Sequence, residues 1–379
     1  MFGPNSPLSP PASPPPVPSF PDLTVAHVRN CVFSSWHARY RKLTPKATVI
    51  KPVDTGFVEY LLADGIFLPP EGERAEWSSE SDEEVLSNRI QELSATSRVP
   101  GSDSGSSVDW SGDDEDVNKS DPAIAFPELD AQIRKVLDNY DALTPKLNWS
   151  SPRDATWITT TNTLKCVTPG DVYLILKSSN FITHDLLRPF DDCTDATYHQ
   201  LPHHEVELVL RKWVEFNPAM EFRAFVRNRT VLGMSQRAEH HYQFLEPLNT
   251  QIKDLILDFF DDNLRQTFPD ENFCFDVYIP KPETRRVWLI DINPFAQKTD
   301  SLLYDWTDLL TIDPLVPDFD PDLRLVSADE GVHSFSTKPF SAHMVPRDVV
   351  DASVQGGGAG IAAFAKQWKD MLDKSKSTP

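Results

Sequence analysis

Two apolar runs, FCFDVYIP at 273–280 and VWLIDINPF at 287–295, constrain this chain more than any other feature. Each has the length and the aromatic and β-branched content of a buried strand. The short KPET connection predicts that they pair as a hairpin. Side chains two apart on a strand share a face, so Asp291 and Asn293 sit together while Trp288, Ile290 and Ile292 fill the other face. In one of the hairpin's two parities Asp276 joins them. An ionised carboxylate among such neighbours is costly to bury unless something positive meets it. A Lys or Arg, a helix N-terminus or a metal ion would serve.

More strands are read from VYLILKS, HEVELVLRKWVEF and EFRAFVRNRTVLGMSQR, and an amphipathic helix from TQIKDLILDFFDDNL. Val25, Val28, Val32, Trp36 and Tyr40 mark a helix that Pro45 ends, and Ile133, Val136, Leu137 and Tyr140 mark another. Helices mixed with hairpins predict an α+β fold of two subdomains, 23–205 and 206–330. Residues 1–22 form a Pro-rich tail with no periodicity, expected to be disordered. Residues 71–122 carry 15 acidic against 4 basic side chains among 12 serines, a composition that cannot bury enough apolar surface to fold. A second flexible tail, 331–379, ends in an amphipathic helix carrying Ile361, Phe364, Trp368, Met371 and Leu372.

The formal charge of −21 argues against nucleic acid and against anionic membranes as partners. Four scattered cysteines suggest neither a disulfide framework nor a zinc site. Without a long apolar run or a signal-peptide core, a cytoplasmic, monomeric protein is expected.

Asp276, Asp291 and Asn293 together would present three oxygen donors, the set a magnesium ion prefers. Lys146 in TPKLNWS, Lys177 at the end of VYLILKS and Arg223 in EFRAFV are cations suited to phosphate oxygens. Each could instead pair with Asp291, Asp276 or Glu221. The strand end at Lys212 to Val214 offers backbone groups for a purine base. No P-loop or Gly-rich lid is present.

TPKLNWSSPRDATWI, LKSSNFITHDL, VELVLRKWVEFNPAMEFRAFV, SQR and VWLIDINPFAQKTDSLLYDW resemble the cell-division-cycle protein 123 family. The resemblance spans roughly 23–325 outside the acidic insert. It implies an ATP-grasp-like fold whose two subdomains clamp ATP and magnesium, and an assembly factor that binds the gamma subunit of translation initiation factor 2. Carried over by position, Lys146 and Lys177 would face the phosphates, with Arg223 reaching them. Arg211, Lys212, Trp213 and Val214 would form the adenine hinge, and Asp276, Asp291 and Asn293 would hold magnesium. Asn148, Trp149, Ser151 and Asp154 are motif members assigned to the same nucleotide site.

The function expected is therefore an ATP-dependent assembly chaperone rather than an enzyme. Its partner-facing candidate is the helix with Trp36, His37, Arg39, Tyr40 and Arg41, although Trp36 and Tyr40 could simply cover the sheet. The alternative is an ATP-grasp ligase forming an acyl-phosphate on an unknown carboxylate. A third reading is a pseudo-enzyme whose ATP is structural.

Overall fold

A computed structural model describes residues 19–63, 125–196 and 204–328. Most of the Pro-rich tail, the acidic insert and the C-terminal helix expected at 361–372 lie outside the described residues. The rest is α+β, as expected. Helices α1 (Val25–Asn30) and α2 (Phe33–Tyr40) come first, then β1 (Ala47–Ile50), α3 (Thr55–Leu62), α4 (Pro127–Tyr140) and β2 (Leu143–Lys146). Next come α5 (Pro169–Lys177), α6 (Asn180–Leu187) and β3 (Leu208–Lys212). The last portion holds β4 (Glu221–Arg227), β5 (Thr230–Gln236), α7 (Asn249–Phe259), β6 (Phe273–Tyr278), β7 (Trp288–Pro294), α8 (Trp306–Thr311) and β8 (Asp322–Arg324).

The strands sort into two sheets. The first is antiparallel, in the order β1-β3-β2, and Pro145 is tolerated in β2 because that strand is an edge. The second runs β7-β6-β4-β5-β8, antiparallel except for the β5–β8 pair. The β4–β5 turn is Asn228-Arg229, both at positive φ (50° and 57°), the two-residue geometry whose twist suits a hairpin. Under the first sheet, Phe57, Ile133, Val172 and Ile175 pack from α3, α4 and α5. Against the second, α7 buries Ile252, Leu255, Ile256 and Phe259.

Three expectations need correction. VYLILKS is helix α5, not a strand. Thr168 caps it through a capping box with Asp171, Pro169 starts it, and its apolar run is continuous because Val172, Tyr173, Ile175 and Leu176 are all buried. The single helix expected up to Pro45 is two, broken where Val32 takes an extended conformation. Finally, the expected boundary between 205 and 206 precedes β3, yet β3 is the central strand of the first sheet. The two sheets face an open cleft of about 2470 Å³, lined from both sides. Among the described residues, no helix is long and apolar enough to cross a membrane.

Candidate functional site: a charged row between two sheets

A polar row crosses all five strands of the second sheet. Asp291 on β7 stands opposite Asp276 on β6, Asp276 opposite Arg223 on β4, Arg223 opposite Ser235 on β5, and Ser235 opposite Arg324 on β8. Directly opposed residues share a face, so the hairpin takes the parity that unites Asp276 with Asp291. A register shift after Asp276 leaves Ile290 as the extra residue of a bulge. Such a bulge sharpens the local twist and re-aims neighbouring side chains.

Each carboxylate meets a cation. Lys146, at the end of β2 and 0% exposed, donates to both oxygens of Asp291 at 2.9 and 3.0 Å. The pair ties the first sheet to the edge of the second. Arg223 grips Asp276 bidentately, Nε to Oδ1 at 2.7 Å and Nη2 to Oδ2 at 2.9 Å, and its Nη1 donates to the Asp300 carbonyl at 2.7 Å. Arg237 places Nη1 3.1 Å from Asp276 Oδ2 and 3.4 Å from Glu221 Oε2, while its Nε is buried without a hydrogen-bond partner. From the first half of the chain, Arg153 reaches the same Glu221 oxygen at 3.4 Å.

The titration behaviour follows from this crowding. Burial would raise the Asp276 carboxyl, but Arg223 and Arg237 outweigh it and hold the group at about 2. Burial and then the neighbouring Arg153 push Arg237 down to about 10. Burial also lowers Arg211, whose guanidinium sits 5.9 Å over the Phe33 ring. Around Glu221 and Asp276, three guanidinium groups thus meet two carboxylates.

Of the residues expected at the site, Trp149, Ser151, Arg211, Arg223, Asp276, Asp291 and Asn293 line the cleft. Lys146 lies beneath Asp291. The others are placed elsewhere. Lys177 ends α5, and its Nζ donates to the carbonyls of Tyr60 and of Ala63, the latter at 2.9 Å, closing the C-terminus of α3. Asp154 accepts from Ser179 Oγ at 2.5 Å and from the Asn180 N–H at 2.7 Å, which anchors the start of α6. The Asn148 side chain donates to the Glu205 carbonyl at 2.7 Å and accepts from the Glu207 N–H at 3.1 Å. In the expected hinge, the N–H groups of Lys212 and Trp213 are already given to the carbonyls of Lys46 and Ala142 at 2.8 and 2.9 Å. Val214 is exposed but does not line the cleft. Trp36 and Tyr40 cover the sheet, at 2% and 4% exposure, so the helix does not offer them to a partner.

Asp291 and Asn293 present oxygen donors on one face and are only partly buried, and a magnesium ion there would share Asp291 with Lys146, which holds both its oxygens. Asp276 fits less directly, since two arginines occupy its carboxylate. Among the described residues, no three His, Cys, Asp or Glu side chains gather as a metal site by themselves. Sequence reading passed over Arg237, although it closes SQR two residues beyond Ser235, on the face that Ser235 shares with Arg223. It noted Glu221 without joining it to Arg153.

Comparison with known proteins gives the family. The D123 family model matches residues 36–353. The chain belongs to the D123 family. A relative from Aspergillus niger, named translation initiation factor eIF2 assembly protein, is 42% identical over 368 residues, covering 94% of this chain and 90% of its own. A relative from Vanderwaltozyma polyspora with the same name is 40% identical over 362 residues, covering 92% of each chain. The solved structure of Cdc123 from Schizosaccharomyces pombe, 35% identical, superposes with a TM-score of 0.61 over 81% of this chain and 100% of that one. The D123 match thus takes in both sheets and every residue of the charged row.

Proposed function

We propose that the cleft takes ATP with magnesium, and that the loaded protein acts as an assembly chaperone for translation initiation factor 2 by docking on its gamma subunit. The observation that carries this reading is the charged row. Lys146, Arg153, Arg211, Arg223 and Arg237 gather around Glu221, Asp276 and Asp291, in a chain of net charge −21. The cations are gathered at one place in a cleft that elsewhere carries many carboxylates, which suits a compact polyanion such as a triphosphate. Arg223 and Arg237 would face phosphate oxygens, for which guanidinium geometry is suited. Asp291 and Asn293 would hold the magnesium ion, which neutralises phosphate charge when bound.

The names of relatives covering nearly the whole chain support the assembly role. Linking it to nucleotide is a matter of population. A ligand that touches both sheets stabilises the arrangement it bridges, and so any surface that arrangement presents. The test is calorimetric titration of ATP, with and without magnesium, into the full chain and into Asp291→Ala, beside a pull-down of the gamma subunit. Magnesium-dependent binding that the variant loses, with weaker capture, supports the reading. Equal binding by both proteins removes Asp291 from the site. Capture of the gamma subunit without any nucleotide binding leaves an assembly factor that works without ATP.

A further inference from the structure

LKSSNFITHDL contains a carboxylate that the site described so far does not use. Asp185, on α6, is 4% exposed and points at the loop directly after Lys146. It accepts from the Trp149 N–H at 3.2 Å, from the Ser150 N–H at 2.7 Å and from Ser150 Oγ at 2.8 Å. Three donors on one loop therefore end on one side chain. Trp149, Ser150, Ser151 and Asp185 all line the cleft.

The support behind Asp185 is rigid. Asp154 and Ser179 hold the first turn of α6, with Ser179 Oγ accepting from the Ile182 N–H at 3.3 Å. The far side of the loop is fixed as well. Trp149 Nε1 donates to the Val28 carbonyl at 2.8 Å, and the Phe33 N–H donates to the Asn148 carbonyl at 2.8 Å. Asp185 is the only charged group among these anchors of residues 148–150.

We propose that Asp185 is a positioning residue for the cleft: its carboxylate fixes the backbone of Trp149 and Ser150, and so sets the wall that follows Lys146. Its influence on ligand affinity rests on the nucleotide reading above. A carboxylate makes all three bonds charge-assisted. An Asn could accept from both amides and donate to the Ser150 hydroxyl, but only as a neutral group, and the lost charge assistance is worth about one hydrogen bond to a charged group. Burial raises the Asp185 carboxyl to about 6, against the opposing pull of Ser150, Trp149 and Lys146. Lys146, on β2, is the charged group whose field reaches it. Because the loop's donors oppose that rise, a protonated Asp185 forfeits the charge assistance of their bonds, and the anchor weakens in mildly acidic solution.

The experiment uses the full chain, Asp185→Asn and the milder Ser150→Ala, which removes one donor and leaves both amide bonds. Hydrogen exchange at Trp149 and Ser150 is followed with ATP–magnesium titrations at pH 7.5 and 5.5. Asp185→Asn is expected to speed exchange at those two amides by about tenfold, the equivalent of one hydrogen bond to a charged group. Affinity should fall by about tenfold at pH 7.5 and by less at pH 5.5, where the wild type has itself lost part of the anchor. Ser150→Ala should give a smaller loss with the same pH trend. Unchanged exchange in Asp185→Asn, or an equal affinity loss at both pH values, overturns the proposal. If the wild type binds no ATP, the nucleotide reading falls, and exchange at Trp149 and Ser150 still decides whether Asp185 holds the loop.

Discussion

Lys146 and Asp291 are 145 residues apart in the chain, and the lysine donates to both carboxylate oxygens. The lysine side chain is 0% exposed and the aspartate 19%. That asymmetry decides which partner can be lost more cheaply.

Removing Asp291 leaves a cation with no solvent and no carboxylate. Removing Lys146 leaves an anion that water can still reach. Asp291→Asn is therefore expected to destabilise the protein by about 3 kcal/mol, and Lys146→Met by about half that. Urea denaturation of the two variants checks the order. Equal losses would mean that the lysine's burial is not what sets the cost.

Asp276 makes the acid limb of stability predictable. Its carboxyl lies near 2 against an ordinary 3.8, so the folded state binds this proton less readily than the unfolded chain. The resulting stabilisation is complete above about pH 4 and is lost as pH falls toward 2. The shift corresponds to on the order of 2 kcal/mol. In Asp276→Asn that component of the pH dependence should vanish, as read from thermal or denaturant stability between pH 2 and 5. An unchanged acid limb would assign the proton uptake to other carboxylates.

Lys177 separates a structural cation from a ligand-facing one. Because its Nζ closes the end of α3, Lys177→Met should lower Tm by a few degrees, corresponding to about 1 kcal/mol. ATP–magnesium affinity should stay within about twofold. A large loss of affinity without a loss of stability would return Lys177 to the nucleotide site.

Gly233 is required by a close approach. A Cβ there would fall 2.4 Å from the Tyr304 hydroxyl and 2.6 Å from its ring carbon. Tyr304 is itself fixed by a 2.9 Å hydrogen bond to the Asp322 carbonyl and lies under the Arg324 guanidinium. Gly233→Ala should cost about 1–3 kcal/mol. Adding Tyr304→Phe should not rescue it, because the ring still blocks the space and the hydroxyl's bond is lost. Full rescue in a denaturation series would place the clash at the hydroxyl alone.

Much of the second sheet was legible because strand signals are local. EFRAFV, FCFDVYIP and VWLIDINPF each carry period-two alternation, and their short connections force pairing between neighbours. The α7 stripe was equally plain from its spacing of three and four. VYLILKS misled because a helix buried all round shows no polar face, so its apolar run looks like a buried strand. The neighbouring TPGD held the capping signal that would have distinguished them. The roles of Asp154 and Lys177 were hidden for another reason, since their partners belong to elements 25 and more than 100 residues away.

By itself, then, the sequence determined the strands from β3 to β7, the hairpin and the shared face of Asp291 and Asn293, because alternation along a strand is a property of adjacent residues. Only the tertiary structure decided which cation meets which carboxylate. Lys146 comes from the other sheet, Arg153 and Glu221 meet across the cleft, and Asp185 reaches a loop 35 residues back along the chain. Such pairings are chosen by desolvation. Once packing removes water from these groups, each charge must take the nearest opposite partner that the two sheets bring within reach.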